Sequence, residues 1–188
     1  MKRTLVVVGR KKLFFTLFMI LGVVAPLLVA SYNIPVADVA GQVTKTLKYS
    51  SDQEKINFEY PQGWLIRVEK DYSGGEIIEN ITFWNSDNSA HGFVQVMRLS
   101  KAIPEYISEA QKTMSPGFDS WKVSETSLNG HEGYLLTYKR GRGDARSIAA
   151  EYFFNGKGKV YRFSCFYPEA SDDEYAKVFT GMLNSFRF

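Results

Sequence analysis

The chain of 188 residues contains a single cysteine, Cys165. One cysteine cannot form an intramolecular disulfide, and it cannot supply the cysteine pairs of a structural zinc site. Cys165 stands among aromatic residues in the segment 161–167, where a small buried side chain is the simplest interpretation. A reactive thiol is the alternative, but it needs a depressed pKa, and Arg162 alone hardly supplies one.

Histidine is also scarce, because the chain has only His91 and His131, which lie in predicted turns far apart in sequence. A zinc site needs three or four converging ligands, so neither histidine indicates one. The acidic residues at 172–174 are explained by the start of a helix. The sequence has no Gly-x-Ser-x-Gly elbow and no phosphate-binding loop. We therefore predict no catalytic residues, no metal ion and no cofactor, and expect a protein that is not an enzyme.

Basic residues exceed acidic residues by a formal net charge of +3. The excess is local, since five of the 23 basic residues lie in 1–12, where no acidic residue occurs. The rest of the chain holds the remaining 18 basic residues and all 20 acidic residues, which gives a net charge of −2. Nucleic-acid binding domains need a basic face, so the sequence predicts no nucleic-acid partner.

A segment without any charge follows this basic leader, at 13–30. As an α-helix it spans about 27 Å, close to the roughly 30 Å of a bilayer's hydrocarbon core. Its length, and Leu28 near its end, favour an uncleaved signal anchor over a cleaved secretory peptide, with a buried core helix as the third interpretation. The positive-inside rule then places the N-terminus in the cytoplasm and the C-terminal domain outside the cell membrane. Cleavage would instead give a secreted domain.

Beyond the anchor, the sequence predicts a stalk at 31–53 and a domain at 54–188. The stalk contains Pro35, scattered small residues and a polar end. From about residue 55, apolar residues alternate between turn signals, which is typical of strands. The predicted strands are 56–60, 64–70, 77–84, 93–99, 121–128, 134–139, 147–154 and 160–167.

Two helices are predicted among these strands, from residue 103 to about 114 and from about 171 to 185. Ser171 can cap the second helix, whose first turn is acidic. The last four strands follow one another through short turns, which predicts an antiparallel meander. Residues 147–154 place apolar side chains on both faces. The predicted fold class is therefore α+β, an antiparallel sheet of about six to eight strands sandwiched between helices, with an N-terminal transmembrane helix.

Three local patterns resemble those of PsbP-like domains. Residues 58–64 are similar to the family's opening F-x-Y-P-x-x-W, and residues 129–138 to its central N-G-x-x-G-Y hairpin. Residues 151–161 and 179–186 resemble its closing strand–strand–helix unit. The chain is thus identified as a PsbP-like domain in a membrane-anchored bacterial protein. The resemblance implies the PsbP/Mog1-like fold, an antiparallel sheet between helices, and non-catalytic assembly or binding roles.

A local excess of basic residues remains at 139–162. Its candidate interaction residues are Lys139, Arg140, Arg142, Arg146, Lys157, Lys159 and Arg162. In a meander, the turns at 141–145 and 155–159 lie at opposite ends of one strand, about 30 Å apart. We therefore expect two separate basic tips, either of which can meet anionic lipid headgroups, wall polymers or an acidic protein. Solvated hairpin ends are the alternative.

Two functions of different classes follow from these observations. The first is a membrane-anchored extracytoplasmic module that binds a protein or a cell-envelope partner without catalysis. The alternative is an extracytoplasmic small-ligand or metal-ion binding domain, with His91, His131 and the acids at 172–174 as candidate ligands. An enzyme ranks third, because no catalytic constellation is present.

Overall fold

The structure is a computed structural model that describes residues 45–70, 75–113 and 118–188. These residues lie in one compact unit and contain nine β-strands and two α-helices. The strands are β1 Thr46–Ser50, β2 Asn57–Pro61, β3 Leu65–Lys70, β4 Ile77–Trp84, β5 His91–Met97, β6 Phe118–Leu128, β7 His131–Arg140, β8 Ser147–Gly156 and β9 Lys159–Pro168. The helices are α1 Ile103–Thr113 and α2 Asp172–Ser185.

Seven of the strands form one antiparallel sheet in the order β3-β4-β5-β9-β8-β7-β6. The predicted meander is confirmed, because β6, β7, β8 and β9 pair in succession. A second meander consists of β3, β4 and β5. The two meanders meet where β5 pairs with β9, with His91 opposite Phe166. The last strand in the sequence is therefore the central strand of the sheet.

The remaining strands, β1 and β2, form a separate antiparallel hairpin in which Tyr49 lies opposite Phe58. Asn57 of β2 exchanges two backbone hydrogen bonds with Arg187, near the C-terminus. Residues 46–53, assigned to the stalk from sequence, thus belong to the folded domain. This correction has a physical reason: the side chains of β1 are mostly exposed and polar, so the strand is defined by its partner rather than by an apolar pattern of its own.

One face of the sheet packs against α2 and the β1–β2 hairpin, and we call it the α2 face. Its core is aromatic. The ring centroid of Phe163 lies 5.7 Å from that of Phe83 and 6.3 Å from that of Phe58. Phe179 of α2 joins the same cluster. The predicted second helix and its acidic first turn are confirmed, although the Ser171 hydroxyl makes no capping hydrogen bond.

The other face packs against α1, and we call it the α1 face. Ile103, Tyr106 and Ile107 are the helix residues buried against it. The Tyr106 ring meets Phe153 of β8 edge-on, with 6.0 Å between centroids. Helices therefore pack on both faces of the seven-stranded antiparallel sheet, and this part of the predicted fold is confirmed.

Among the described residues, no helix has the length and the apolar character needed to cross a bilayer. The basic leader predicted at 1–12 and the anchor predicted at 13–30 lie outside these residues. The stalk predicted at 31–53 lies outside them as far as residue 44.

Candidate interaction surface

The side chains of the α1 face are arranged in rows, because opposed residues of antiparallel strands point to the same side of a sheet. One row begins at the β3 edge and is mostly apolar. We call its first four members the aromatic row: Leu65, Trp84, His91 and Phe166. A parallel series of polar side chains, four residues further along β3, crosses six strands. We call it the polar ladder: Glu69, Asn80, Gln95, Arg162, Glu151 and Tyr138.

The first half of the polar ladder joins β3, β4 and β5 through side-chain amides. Asn80 Nδ2 donates a hydrogen bond to Glu69 Oε2 at 3.2 Å. Gln95 Nε2 in turn donates to Asn80 Oδ1 at 3.1 Å. Both amides are buried. Because buried amides need hydrogen-bond partners, these bonds fix the register of the three strands.

The second half of the polar ladder is centred on the ion pair between Arg162 and Glu151, whose side chains are only 15% and 3% exposed. Arg162 Nε donates to Glu151 Oε2 at 2.8 Å. The guanidinium also lies 4.7 Å from the ring centroid of Phe93 and 5.2 Å from that of Phe153. Burial disfavours the guanidinium charge, but the attraction of Glu151 offsets it, and the pKa of Arg162 is raised. The guanidinium therefore keeps its charge.

Hydroxyl groups complete the surroundings of the Glu151 carboxylate. Tyr138 Oη donates to Glu151 Oε1 at 2.8 Å, and Ser164 Oγ donates to Glu151 Oε2 at 2.9 Å. Burial, followed by the charge of Glu151, raises the pKa of Tyr138, so the phenol keeps its proton. Burial likewise raises the pKa of Tyr106. Tyr138 and Ser164 hold the Glu151 carboxylate in place, and the network around it is satisfied and buried.

The aromatic row lies beside this network at the surface. The ring of His91 stacks on Phe166, with 5.2 Å between centroids and 18° between planes. Leu65, at the sheet edge, is 52% exposed, while Trp84, His91 and Phe166 are half-buried. The row is therefore an apolar strip that solvent, and hence a partner, can reach.

His91 departs from its predicted place in an exposed turn, because it is the first residue of β5 and is largely shielded. Burial, followed by the charge of Arg140, lowers the pKa of His91 to about 4. Its Nδ1 atom is closed off from solvent and has no hydrogen-bond partner within the described residues. The imidazole is therefore neutral near pH 7.

The candidate metal ligands do not converge. His131 starts β7, where its Nδ1 lies 3.3 Å from the carbonyl oxygen of Asn155. The acids at 172–174 form the first turn of α2. In the ranges 45–70, 75–113 and 118–188, no group of three or more His, Cys, Asp or Glu side chains could hold a metal ion.

Most of the predicted basic interaction residues are engaged within the protein. Lys139 and Arg146 both form ion pairs with Glu169, and Arg146 also contacts both oxygens of Asp119, at 2.9 and 3.0 Å. Arg140 lies over the ring of Phe118, 5.9 Å from its centroid. Their charges are therefore partly neutralised or shielded.

The three other basic candidates differ from one another. Lys159 is paired with Glu54. Arg162 belongs to the polar ladder inside β9, so it is not part of an exposed tip, because Glu151 draws it into the sheet. Arg142 and Lys157 are exposed in the turns at the two ends of β8. Arg140 and Arg142 at one tip and Lys157 at the other thus have no ion pair to another described residue.

A shallow, open depression of about 560 Å³ lies between the start of α1 and the β8–β9 turn. Its basic lining residues are Lys101, Lys157, Lys159 and His131. Lys101 is paired with Glu109, as Lys159 is with Glu54. Most of the positive charge around the depression is therefore compensated.

The polar ladder and the aromatic row were not predicted from the sequence. A signal for the ladder does exist: Gln95, Glu151 and Arg162 each interrupt an otherwise apolar strand. A polar residue in such a position must find a buried partner, so the three point to one another. The aromatic row had no such signal, because strand order decides which aromatic residues become neighbours.

The comparisons with known proteins agree with this architecture. The family model described as "PsbP-like protein" matches residues 37–188. No match was found among curated proteins. The solution structure of cyanobacterial PsbP (CyanoP) from Synechocystis sp. PCC 6803 superposes with a TM-score of 0.54 at 15% identity, covering 82% of this chain and 98% of that one.

Two further solved structures are similar at lower scores. LpqN of Mycobacterium tuberculosis, described as involved in cell envelope biogenesis, has a TM-score of 0.48 at 11% identity, covering 77% of this chain and 91% of its own. PA94 of Pseudomonas aeruginosa, described as a protein of unknown function and putative regulator, has a TM-score of 0.44 at 16% identity, covering 74% and 94%. Because the family model matches most of the chain, this protein belongs to the PsbP-like protein family.

Proposed function

We propose that this protein is a non-catalytic protein-interaction or assembly module, a PsbP-like domain held outside the cell by the anchor predicted at 13–30. The observation that carries the proposal is the aromatic row on the α1 face. Hydrophobic strips that remain accessible on a folded domain mark interaction sites. Interface hot spots are also enriched in tryptophan and arginine and usually have a polar rim.

The composition of the aromatic row supports this role. Leu65 and Trp84 are direct cross-strand neighbours, so they form one continuous apolar surface. Arg67 and Glu69 border this surface on the same face, with their side chains 50% and 38% exposed. An apolar centre with a charged rim is the arrangement that protein partners use.

The rigidity of the surface is a second support. The polar ladder ties β3, β4 and β5 to the centre of the sheet through side-chain hydrogen bonds. These strands also carry Leu65, Trp84 and His91. A surface that is already ordered loses less conformational entropy when a partner binds. The basic tips are the weaker candidates, since most of their charges are compensated.

The experiment is crosslinking and pull-down of the full-length protein from its own membranes, comparing Leu65→Glu with Val123→Glu. Both positions are exposed aliphatic residues on edge strands, Leu65 on β3 and Val123 on β6. We expect Leu65→Glu to capture about tenfold less partner than the wild type, because it places a charge in the apolar centre. Val123→Glu is the matched control and should capture as the wild type does.

Two results would contradict the proposal. One is equal capture by both variants. The other is turnover of a substrate by the purified protein, abolished by replacing one polar residue. The localisation is tested separately, by sequencing the N-terminus of the mature protein. A start near Ser31 would indicate a cleaved peptide and a secreted domain rather than a retained anchor.

The alternative function is that of an extracytoplasmic small-ligand or metal-ion binding domain, and the depression of about 560 Å³ is the observation that favours it. Thermal-shift titrations with Ca²⁺, Mn²⁺, Zn²⁺ and inorganic phosphate discriminate between the two functions. A shift that disappears in Lys157→Gln would support a ligand in the depression. An unchanged melting temperature at millimolar ligand would end this alternative.

A further inference from the structure

The seven-stranded sheet ends in two edge strands, β3 and β6, that differ in regularity. β6 has a bulge between Asp119 and Lys122, and Ser120 within it has a positive φ of 55°. Bulges turn an edge away from new partners. β3, in contrast, pairs with β4 from Leu65 to Lys70 without a register shift. Within 45–70, 75–113 and 118–188 no strand pairs with its other side, so β3 presents a straight edge to an added strand.

The exposed side chains of β3 also favour the addition of a strand. Leu65, on the α1 face, is 52% exposed, and Val68, on the α2 face, is 38% exposed. A regular edge with apolar side chains exposed on both faces is the surface that strand addition uses. Three of the six residues of β3, Arg67, Glu69 and Lys70, are charged, and edge charges oppose strand addition unless the partner compensates them.

We infer that β3 pairs with β3 of a second copy of this chain, antiparallel and centred on Val68. A two-fold axis that makes two identical strands antiparallel in one sheet is perpendicular to the sheet, so the α1 faces of both copies lie on the same side. Opposed residues must then point to the same face. One residue of β3 must therefore face its own copy across the axis, which lies midway between the two copies of that residue.

Two such centres, Arg67 and Val68, allow five residues of β3 to find opposed partners. Centring on Arg67 places the two Arg67 side chains opposite each other, and directly opposed like charges are destabilising. Centring on Val68 places Arg67 of each copy opposite Glu69 of the other. The charge pattern of β3 is therefore complementary to itself in one register.

The side chains involved lie at the solvent-facing edge of the sheet, where they can reach a second copy. In the single chain, Arg67 Nη2 lies 3.0 Å from Glu69 Oε1, and both side chains are substantially exposed. Turning each Arg67 toward Glu69 of the other copy replaces the two pairs within the strands, one in each copy, by two pairs between the strands. Glu69 also accepts a hydrogen bond from Asn80, so the polar ladder of one copy would meet that of the other at the two-fold axis.

The first test is a disulfide at the proposed axis. Val68→Cys in the full-length protein should form a covalent dimer on mild oxidation, seen on a non-reducing gel, because directly opposed strand residues are within disulfide range. Val123→Cys is the control for an exposed valine on the other edge strand. The wild type controls for the buried Cys165. Equal crosslinking by the two variants would overturn the proposal.

The second test reverses charges on β3. Its result is a restored crosslink between two variants, which a folding defect in either variant would not produce. In the Val68→Cys background, Arg67→Glu makes both positions acidic and Glu69→Arg makes both basic. Each variant alone should lose crosslinking about tenfold, since two attractive pairs become two repulsive ones. Mixing the two variants, one carrying a size tag, should restore a mixed dimer. A mixture that crosslinks no better than either variant alone would contradict the register.

Discussion

The two faces of the sheet are stabilised by different interactions. On the α2 face, aromatic side chains such as Phe58, Phe83 and Phe163 pack on one another and are fully buried. On the α1 face, the buried Arg162–Glu151 pair and the amides of the polar ladder occupy the corresponding layer. Apolar burial is non-directional, whereas each ladder bond needs its partner in place. The α2 face therefore supplies the larger share of apolar stabilisation. The α1 face has a smaller apolar core, adds the polar ladder that specifies which strands meet, and presents the half-buried aromatic row with Leu65 exposed at its end.

The largest expected effect is on the α2 face. Phe163→Ala removes a ring that touches Phe58, Phe83 and Phe186, and it should lower the free energy of unfolding by about 3–5 kcal/mol. Urea unfolding measures the loss, and Phe163→Leu, which keeps much of the volume, should lose clearly less. A loss below that of the ladder variants would contradict the assignment of stability to this face.

The next effect concerns the ion pair on the α1 face. Arg162→Met leaves the buried Glu151 carboxylate without its cation and should reduce the free energy of unfolding by about 3 kcal/mol. Adding Glu151→Leu removes the orphaned charge, so the double variant should regain about 2 kcal/mol. Urea unfolding of the two single variants and the double variant measures the coupling. Strictly additive losses would show that the two side chains do not act as a pair.

A smaller effect separates two tyrosines on opposite faces. Tyr138→Phe removes the hydrogen bond to Glu151 and should lower the free energy of unfolding by about 1.5–3 kcal/mol, since the acceptor is charged. Tyr152→Phe, on the α2 face, is the control, because the ring packs on Phe154. Its loss should stay within about 0.5 kcal/mol. Equal losses would mean that the ladder bond contributes nothing.

The smallest expected effect depends on pH. The folded protein holds the pKa of His91 at about 4, below its unfolded value of about 6.5, so the unfolded chain binds more protons between these values. The stability present above pH 6.5 is therefore lost as the pH falls toward 4. The loss attributable to His91 between pH 7.5 and 5.5 is about 1 kcal/mol. His91→Gln should flatten that part of a thermal-unfolding pH profile, while His131→Gln should leave it as in the wild type.

The fold could be predicted where its contacts are local. The β6–β9 meander and both helices follow from alternating or helical spacing together with short turns. The pairing of β5 with β9 could not be predicted in this way, since it joins strands far apart in sequence. Strand β1 was missed for a different reason, because its own side chains are mostly polar and exposed and only its pairing with the neighbouring β2 defines it.

The site was less predictable than the fold. The local excess of basic residues at 139–162 places Arg162 with exposed residues, but its partner Glu151 lies across the sheet on β8. His91 was placed in a turn because the preceding residues, 85–89, are polar, yet the strand starts at this residue. Both errors come from contacts between strands, which local composition does not record.

The position of β9 has a consequence for how the protein is made. The edge of β5 that pairs with β9 has no partner until about 60 further residues have been synthesised. The two meanders can form early, but the sheet joins them only when the final strand arrives, and such non-local pairing is slow. Until then each half exposes an unpaired strand and an uncovered apolar face, the condition in which nascent chains aggregate. A nascent chain that stops before Lys159 would therefore hold two separate partial sheets, each with an open edge.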